Sequence, residues 1–244
     1  MDSKYEFWND TLPEGFYDEI FTKGLNKKTG LQSSWHHLTF KKIKTYFVKN
    51  SHHLDYACGP GTFIGNYLNC NSLGYDISKN QIDYANRKYS NKFKNFSTSK
   101  EDIIKNGPYD IITVLGLIEF LDGKEINNEI NFLLNNLTTS GRIIFTTPNY
   151  GGLMYFIEKI SNFFNEVSYS EVKVSNFSKK KLIKLLKSFS ELNNCNFEVK
   201  KILNFGILFT VINKNIGIKI EKFIEKISKN YFGFILTLEI SKND

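Results

Sequence analysis

Between residues 51 and 148, short apolar segments alternate with segments of helical periodicity, and this alternation restricts the possible folds more than any other feature. The pattern predicts strands at 53–58, 72–76, 93–96, 109–115 and 142–147 and helices at 62–68, 78–89 and 126–137. Tyr109–Leu115 is nearly continuous in apolar residues, which is typical of a strand buried on both faces of a parallel sheet. Strands and helices at this spacing form right-handed crossover units.

The rest of the chain predicts additions to that sheet. A helix is expected at 179–189, extended segments at 197–201 and 205–212, a helix at 216–227 and a last strand at 232–240. We therefore predict an α/β fold, a three-layer sandwich with a mostly parallel seven-stranded sheet whose last strand is antiparallel. The 244 residues suit a single domain. We divide it into an N-terminal cap (1–50), a ligand-binding core (51–148) and acceptor-side or packing insertions (149–178 and 214–230).

A glycine turn follows the first predicted strand and opens the next helix. Gly59 and Gly61 leave backbone N–H groups accessible, with no Cβ in the way of a ligand. Asp76 ends the next strand, where a carboxylate can accept hydrogen bonds from both hydroxyls of a ribose. A dinucleotide fingerprint needs a third glycine where this chain has Ile64, and Asp55 would repel a pyrophosphate. The pattern favours a nucleoside that carries a cationic sulfonium amino acid.

These motifs resemble those of class I S-adenosylmethionine-dependent methyltransferases. Within that family, the chain looks most like the bacterial small-molecule and glycan branch, which is related to the ubiquinone-type O-methyltransferases. The segment Asp55–Gly61 is similar to the family's Asp-x-Gly-x-Gly-x-Gly motif, with Ala57 at the first glycine. Further similar segments are 74–78 for the second motif, 109–112 and 115–119 around the fourth strand, and 140–144 and 147–149 around the fifth.

The resemblance implies S-adenosylmethionine as cofactor and a set of cofactor-binding residues. These are Asp55, Ala57, Gly59, Gly61, Asp76, Ile77, Gln81, Thr98, Leu115 and Gly116. In the family, the acid at Asp76 binds the ribose and the apolar residue after it packs on the adenine. Two departures are visible: hydroxyl residues surround Thr98 where the branch has an acid, and Phe120 stands where the family often has a histidine.

Methyl transfer from a sulfonium is an in-line displacement, for which an enzyme must mainly align the two reactants. His36 and His37 are candidate general bases, because imidazole accepts protons near neutral pH. Glu119, at the exit of the fourth strand, is a third catalytic candidate. The cysteines and histidines lack metal-ligand spacing, so no metal is expected.

The predicted function is methyl transfer to a small-molecule acceptor, a hydroxyl or amine of a sugar or lipid-like metabolite. The alternative is a catalytically silent nucleoside-binding module that recruits a partner. A dehydrogenase would need the missing third glycine. A nucleic-acid methyltransferase would need an Asp/Asn-Pro-Pro-aromatic motif or a Pro-Cys nucleophile, and the chain has neither.

The net charge of +7 comes mostly from lysine, since Arg87 and Arg142 are the only arginines among 32 basic residues. Arginine is the residue best suited to phosphate and guanine recognition, so we expect no specific nucleic-acid partner. A transient contact with a membrane surface stays open.

The N-terminus lacks a secretory signal and no apolar run could span a bilayer, which predicts a soluble, cytoplasmic protein. An apolar stripe at 153–164 predicts core, or a lid or membrane-facing wall over an apolar acceptor. A second stripe at 216–227 predicts core or a dimer face, and the oligomeric state is left open.

Overall fold

The computed structural model describes residues 6–28, 30–152, 154, 172, 174–231 and 233–243. Its strands are β1 (His52–Tyr56), β2 (Asn71–Tyr75), β3 (Lys94–Ser97), β4 (Tyr109–Leu115), β5 (Leu137–Pro148), β6 (Cys195–Ile202) and β7 (Ile235–Lys242). Its α-helices are α1 (Phe16–Lys27), α2 (Leu31–Lys44), α3 (Thr62–Tyr67), α4 (Lys79–Tyr89), α5 (Lys100–Asn106), α6 (Gly123–Asn135), α7 (Lys179–Asn193) and α8 (Lys214–Ser228). A π-helical turn (Phe7–Thr11) and 3-10 segments (Ile118–Phe120 and Phe205–Val211) complete the described elements.

The seven strands form one sheet in the spatial order β3-β2-β1-β4-β5-β7-β6. The pairs from β3 to β5 are parallel, and β7 lies antiparallel between β5 and β6. The register places Asp55 of β1 beside Gly74 of β2 and Thr113 of β4. The predicted mostly parallel sheet with an antiparallel last strand is confirmed, and its strand ends bring the sequence motifs to one edge.

Each face of the sheet carries its own layer of helices. On one face, α2, α3 and α4 bury a cluster around Ile43, Ile64, Ile82, Ile111 and Ile144. On the other face, α5, α6 and α7 bury the larger cluster, which includes Ile103, Ile130, Leu133, Leu182 and Leu186. The three layers follow from the sequence, because a parallel sheet is apolar on both faces and needs a cover on each.

Local side chains define where several helices begin. Ser78, Ser99 and Ser178 each accept a hydrogen bond from a backbone N–H of the helix that follows. Asp122 and Glu125 form a reciprocal capping box at the start of α6. Such caps satisfy N–H groups that have no partner inside the helix, so they hold each helix start at one residue.

The structure corrects one predicted element and shifts another. Phe205–Val211 is a 3-10 segment and not an extended arm, because Ile207 and Thr210 are buried three residues apart and the segment packs against α8. An apolar run of this length cannot distinguish the two conformations. β5 begins at Leu137, where the sequence predicts the end of a helix, because Leu137 pairs with Tyr109 of β4.

The segment from 149 to 178 is described only in part. The apolar stripe predicted at 153–164 lies outside the described residues, with the exception of Met154. Within the described part of the chain, no helix has both the length and the apolar composition that a bilayer span requires.

Candidate active site

The turn between β1 and α3 has a left-handed backbone at three positions. Ala57, Gly59 and Gly61 have φ of 63°, 50° and 72°. A Cβ on Gly61 would stand 2.6 Å from the ring of Phe96, whereas a Cβ on Gly59 would meet nothing within 4 Å. Gly61 is therefore required by packing, while Gly59 borders open space through which a ligand can approach the backbone.

Asp76 ties this turn to the end of β2. Its Oδ2 accepts a hydrogen bond from the Gly59 N–H at 2.8 Å, and its Oδ1 accepts one from the Ser78 N–H at 2.9 Å. Burial raises the pKa of Asp76, and the backbone N–H groups oppose that rise by stabilising the carboxylate. A carboxylate has about four acceptor sites, so Asp76 keeps acceptor capacity for a ligand hydroxyl beside these backbone donors.

Asp55 lies beneath the turn in a buried polar chain. Its Oδ1 accepts a hydrogen bond from the Thr113 hydroxyl at 2.6 Å. The same hydroxyl oxygen lies 2.8 Å from Nε2 of His53. Burial raises the pKa of Asp55 to about 7 and lowers that of His53 to about 3. His53 is therefore neutral near pH 7, and the chain supports the turn from inside the sheet.

A cavity of about 740 Å³ lies at the carboxyl ends of β1, β2 and β4. One end is formed by the glycine turn, Asp76 and Ile77. The rest of the lining is mostly apolar and aromatic and includes Trp8, Leu12, Tyr17, Ile20, Leu31, Trp35, Phe40, Phe120, Leu121, Met154 and Ile235. The volume and the mixture of polar and apolar walls suit a small-molecule site.

Most of the residues implied by the resemblance lie on this cavity. The lining includes Asp55, Ala57, Gly59, Asp76, Ile77, Gln81, Leu115 and Gly116, and the catalytic candidates His36 and Glu119. Gly61, Thr98 and His37 are outside that lining. The hydroxyls beside Thr98 are used locally: Ser97 donates to Asp102, and Ser99 caps α5.

The two neighbouring histidines of α2 point in different directions, as expected for a helix that turns 100° per residue. His36 lines the cavity with its ring 6.2 Å from that of Tyr17, and burial lowers its pKa to about 4. His37 instead places Nδ1 2.6 Å from the hydroxyl of Tyr67. Burial and the charges of Lys214 and Lys41 lower the pKa of His37 to about 4 as well. The geometry makes His36 the better-placed base of the two.

Glu119 is buried at the end of β4, in the 3-10 segment after Gly116. Its backbone carbonyl accepts hydrogen bonds from the N–H groups of Val174 and Ser175. These bonds connect the cavity wall to the chain after the 149–172 region. Glu119 therefore serves the wall through its backbone as well as facing the cavity with its side chain.

A polar cluster at the cavity wall was not predicted from the sequence. Tyr56 stacks on Tyr75 with ring centroids 4.8 Å apart, and its hydroxyl donates to Glu129 at 2.5 Å. Lys100 donates to both carboxylate oxygens of Glu129 at 3.0 Å. The signal was present, because Glu129 lies three residues after Ile126 and therefore beside the apolar stripe of α6.

The N-terminal segment is bound across the start of α4. Gln81 accepts a hydrogen bond from the Gly15 N–H at 3.1 Å and donates one to the Pro13 carbonyl at 2.9 Å. The Ser78 hydroxyl donates to the Trp8 carbonyl at 2.9 Å. The Trp8 ring packs edge-on against that of Phe120, with ring centroids 5.1 Å apart. Gln81 thus lines the cavity and also holds the segment that closes one side of it.

This fold and this site are those of a methyltransferase domain. The chain matches the methyltransferase domain family over residues 47–229 and belongs to that family. It is therefore an enzyme of the methyltransferase class. No curated protein is similar enough to this sequence to count as a match.

Solved structures share the fold at low sequence identity. Magnesium protoporphyrin IX methyltransferase from Synechocystis PCC 6803, solved with bound SAH, is 15% identical, with 98% of each chain covered and a TM-score of 0.61. A SAM-dependent methyltransferase from Archaeoglobus fulgidus is 19% identical, covering 85% of this chain and 94% of that one at a TM-score of 0.56. A plantazolicin methyltransferase, solved with a desmethyl-plantazolicin analogue and SAH, is 17% identical, with 99% and 95% covered and a TM-score of 0.59.

The family match and these structures confirm the prediction of a class I S-adenosylmethionine-dependent methyltransferase at the level of family and fold. The narrower likeness to the ubiquinone-type branch stays a prediction. The solved neighbours are too distant to assign an acceptor to this chain.

Proposed function

We propose that this methyltransferase transfers the methyl group of S-adenosylmethionine to a hydroxyl or amine on a small, largely apolar acceptor. The observation that carries this proposal is the single cavity that joins the glycine turn and Asp76 to the aromatic walls around Trp35 and Phe120. The large share of apolar and aromatic side chains in the lining favours a lipid-like or aromatic metabolite over a free sugar. Polar lining residues such as Gln32, Thr39 and Thr147 can hydrogen-bond the group that is methylated.

The residues at the turn fit the nucleoside. Open space beside Gly59 allows close approach, Asp76 keeps acceptor capacity for ribose hydroxyls, and Ile77 is 43% exposed beside it. Gly116, with φ of 82°, also has room around its Cα. The bound nucleoside supplies an activated methyl group. The protein's own contribution is to align the acceptor and exclude water from the cavity.

His36 is proposed to take the proton that the acceptor loses. Its low pKa keeps the imidazole unprotonated at neutral pH, which is the form that accepts a proton. Because it lines the cavity among aromatic rings, it can reach an acceptor held on the apolar walls. Glu119 is the second candidate on the same cavity.

Ligand binding is tested first by the thermal midpoint with S-adenosylhomocysteine. Ligand at about 100 times its dissociation constant stabilises a protein by roughly 2.7 kcal/mol, which corresponds to a rise of about 5–11 °C at this chain length. Asp76→Ala should abolish the rise. Asp83→Ala, which removes the same charge from the exposed side of α4, should retain it. No rise with the nucleoside, or an equal rise with NAD, would contradict the proposed cofactor.

The acceptor is tested by transfer of labelled methyl to a panel of hydroxyl- and amine-bearing amphiphiles, with free sugars alongside. We expect product from apolar acceptors only. His36→Ala should lower kcat by about 10²–10⁴-fold, the contribution typical of a general base, with nucleoside affinity unchanged. His37→Ala should stay close to wild type. Equal losses in the two variants would remove His36 from the mechanism, and methylation confined to free sugars would overturn the apolar acceptor.

A further inference from the structure

The outward side of α8 carries large apolar side chains. Ile216, Phe223 and Ile227 are 55%, 65% and 66% exposed and lie on one side of the helix at its periodicity. Val211 and Ile212, just before the helix, are exposed as well. We call this set the α8 face. A contiguous exposed apolar surface of this kind marks an interaction site.

The packed side of α8, in contrast, has no fully buried large apolar side chain. Its buried residues are Lys214, Gly217 and Glu221, and none of them is a large apolar side chain. Gly217 contacts Thr210 so closely that a Cβ would stand 2.4 Å from it. The helix therefore fully buries only small and polar residues, keeps Ile218, Ile220 and Ile224 half-buried, and turns Ile216, Phe223 and Ile227 outward. The sequence left core or a dimer face open for this stripe, and the exposure of Ile216, Phe223 and Ile227 excludes core for these three residues.

Charge accompanies the α8 face along one flank. Lys219, Lys222 and Lys226 are exposed and lie within a turn of Ile216 and Phe223. The two glutamates of the helix do not neutralise the charge of these lysines. Glu221 is 3% exposed and accepts a hydrogen bond from the Asn204 N–H, and Glu225 pairs with Lys42. The exposed surface of α8 is thus apolar and cationic.

We propose that the α8 face binds the surface of an anionic lipid bilayer. An amphipathic helix with lysines beside large apolar residues lies in the interface, where the apolar residues enter the acyl boundary and the lysines meet anionic headgroups. A second copy of the chain fits poorly, because two such faces would bring their lysines together. A nucleic acid would leave the apolar residues exposed.

The face also connects to the active site. Ile218, on the packed side of α8, belongs to a cluster with Ile207, Leu31 and Trp35, and the last two line the active-site cavity. The inward side of α8 therefore packs against elements that form walls of the active-site cavity. The membrane inference does not depend on the proposed acceptor, since binding is measured without methyl donor or acceptor.

The test is flotation of the full chain with vesicles of phosphatidylglycerol and phosphatidylcholine, or of phosphatidylcholine alone. We expect binding only to the anionic vesicles. Phe223→Ser/Ile227→Ser should weaken the partition coefficient by about a hundredfold, since burying one such side chain is worth roughly tenfold or more. The matched control Phe93→Ser/Ile104→Ser removes the same residue types from exposed positions elsewhere and should bind as wild type. Equal binding by the two double variants would overturn the proposal.

A second pair of variants tests the charge. Lys219→Gln/Lys222→Gln/Lys226→Gln should weaken binding by roughly a hundredfold, because each lysine near an anionic surface contributes about fivefold. The control Lys92→Gln/Lys105→Gln/Lys124→Gln lowers the net charge equally and should retain binding. Circular dichroism checks that each variant is folded. Binding to neutral vesicles, or a dimer that Phe223→Ser/Ile227→Ser dissociates without any vesicle binding, would overturn the proposal.

Discussion

Replacing Gly61 with alanine tests whether the turn after β1 is required by packing. Gly61 has φ of +72°, and a Cβ there would stand 2.6 Å from the Phe96 ring. The ring cannot retreat, because it is buried and also lies over Gly74, where a Cβ would be 2.5 Å away. The left-handed backbone costs about 1–2 kcal/mol for a residue with a Cβ, and overpacking adds about 1–3 kcal/mol. We expect Gly61→Ala to lose roughly 2–5 kcal/mol of unfolding free energy.

Gly59→Ala is the matched control for this variant. Gly59 has φ of +50°, close to the 63° that Ala57 adopts two residues earlier, and its Cβ would meet nothing within 4 Å. Only the backbone cost of about 1–2 kcal/mol applies. Its methyl group would, however, enter the cavity on the side that faces the nucleoside. Gly59→Ala should therefore weaken S-adenosylhomocysteine binding, whereas folded Gly61→Ala should still bind it.

Urea unfolding followed by circular dichroism measures the first effect, and isothermal titration calorimetry measures the second. The two variants should differ by about 1–3 kcal/mol in unfolding free energy, with Gly61→Ala the less stable. In nucleoside affinity the order should be reversed, with Gly61→Ala binding S-adenosylhomocysteine more tightly than Gly59→Ala. If Gly61→Ala is as stable as Gly59→Ala, the close contact with Phe96 does not restrict this turn, and the packing argument is refuted.

Two further predictions concern the groups around the turn. Because burial raises the pKa of Asp55 to about 7, the folded chain keeps a proton that the unfolded chain releases above about pH 4, so stability should fall as pH rises between these values. Asp55→Asn should flatten that fall in urea midpoints, and an unchanged slope would exclude Asp55 as its source. Gln81→Leu should release the N-terminal segment from Pro13 and Gly15, which limited proteolysis would show as faster cleavage before α1 with the core intact. Cleavage at the wild-type rate would show that these two hydrogen bonds do not hold the segment.

The sequence motifs predicted that the glycine turn and Asp76 meet at one cavity because these parts are local. A strand, a glycine turn and a helix are consecutive, and Asp76 ends the strand that pairs directly with the first. Parallel strands place their carboxyl ends at one edge, so motifs at those ends must meet. The alternation of strands and helices predicted the sheet for the same reason.

The aromatic walls of the cavity could not be predicted from the sequence in the same detail. Its walls combine Trp8, Trp35, Phe120 and Ile235, which are far apart in the chain and share no spacing that a motif could reveal. The choice between His36 and His37 depends on how α2 is rotated against the sheet. Glu129 became part of the site only because α6 turns it towards Tyr56.

The outward apolar residues of α8 show most clearly what helical periodicity cannot predict. Periodicity established that Ile216, Phe223 and Ile227 share one side of a helix, since a turn of 3.6 residues dictates that from the chain alone. Which side would be packed depended on a close approach between Gly217 and Thr210 and on the buried Glu221. These are contacts between separate elements. Local periodicity determines which residues share a face, but only the packing of one element against another decides which face meets the protein and which meets the surroundings.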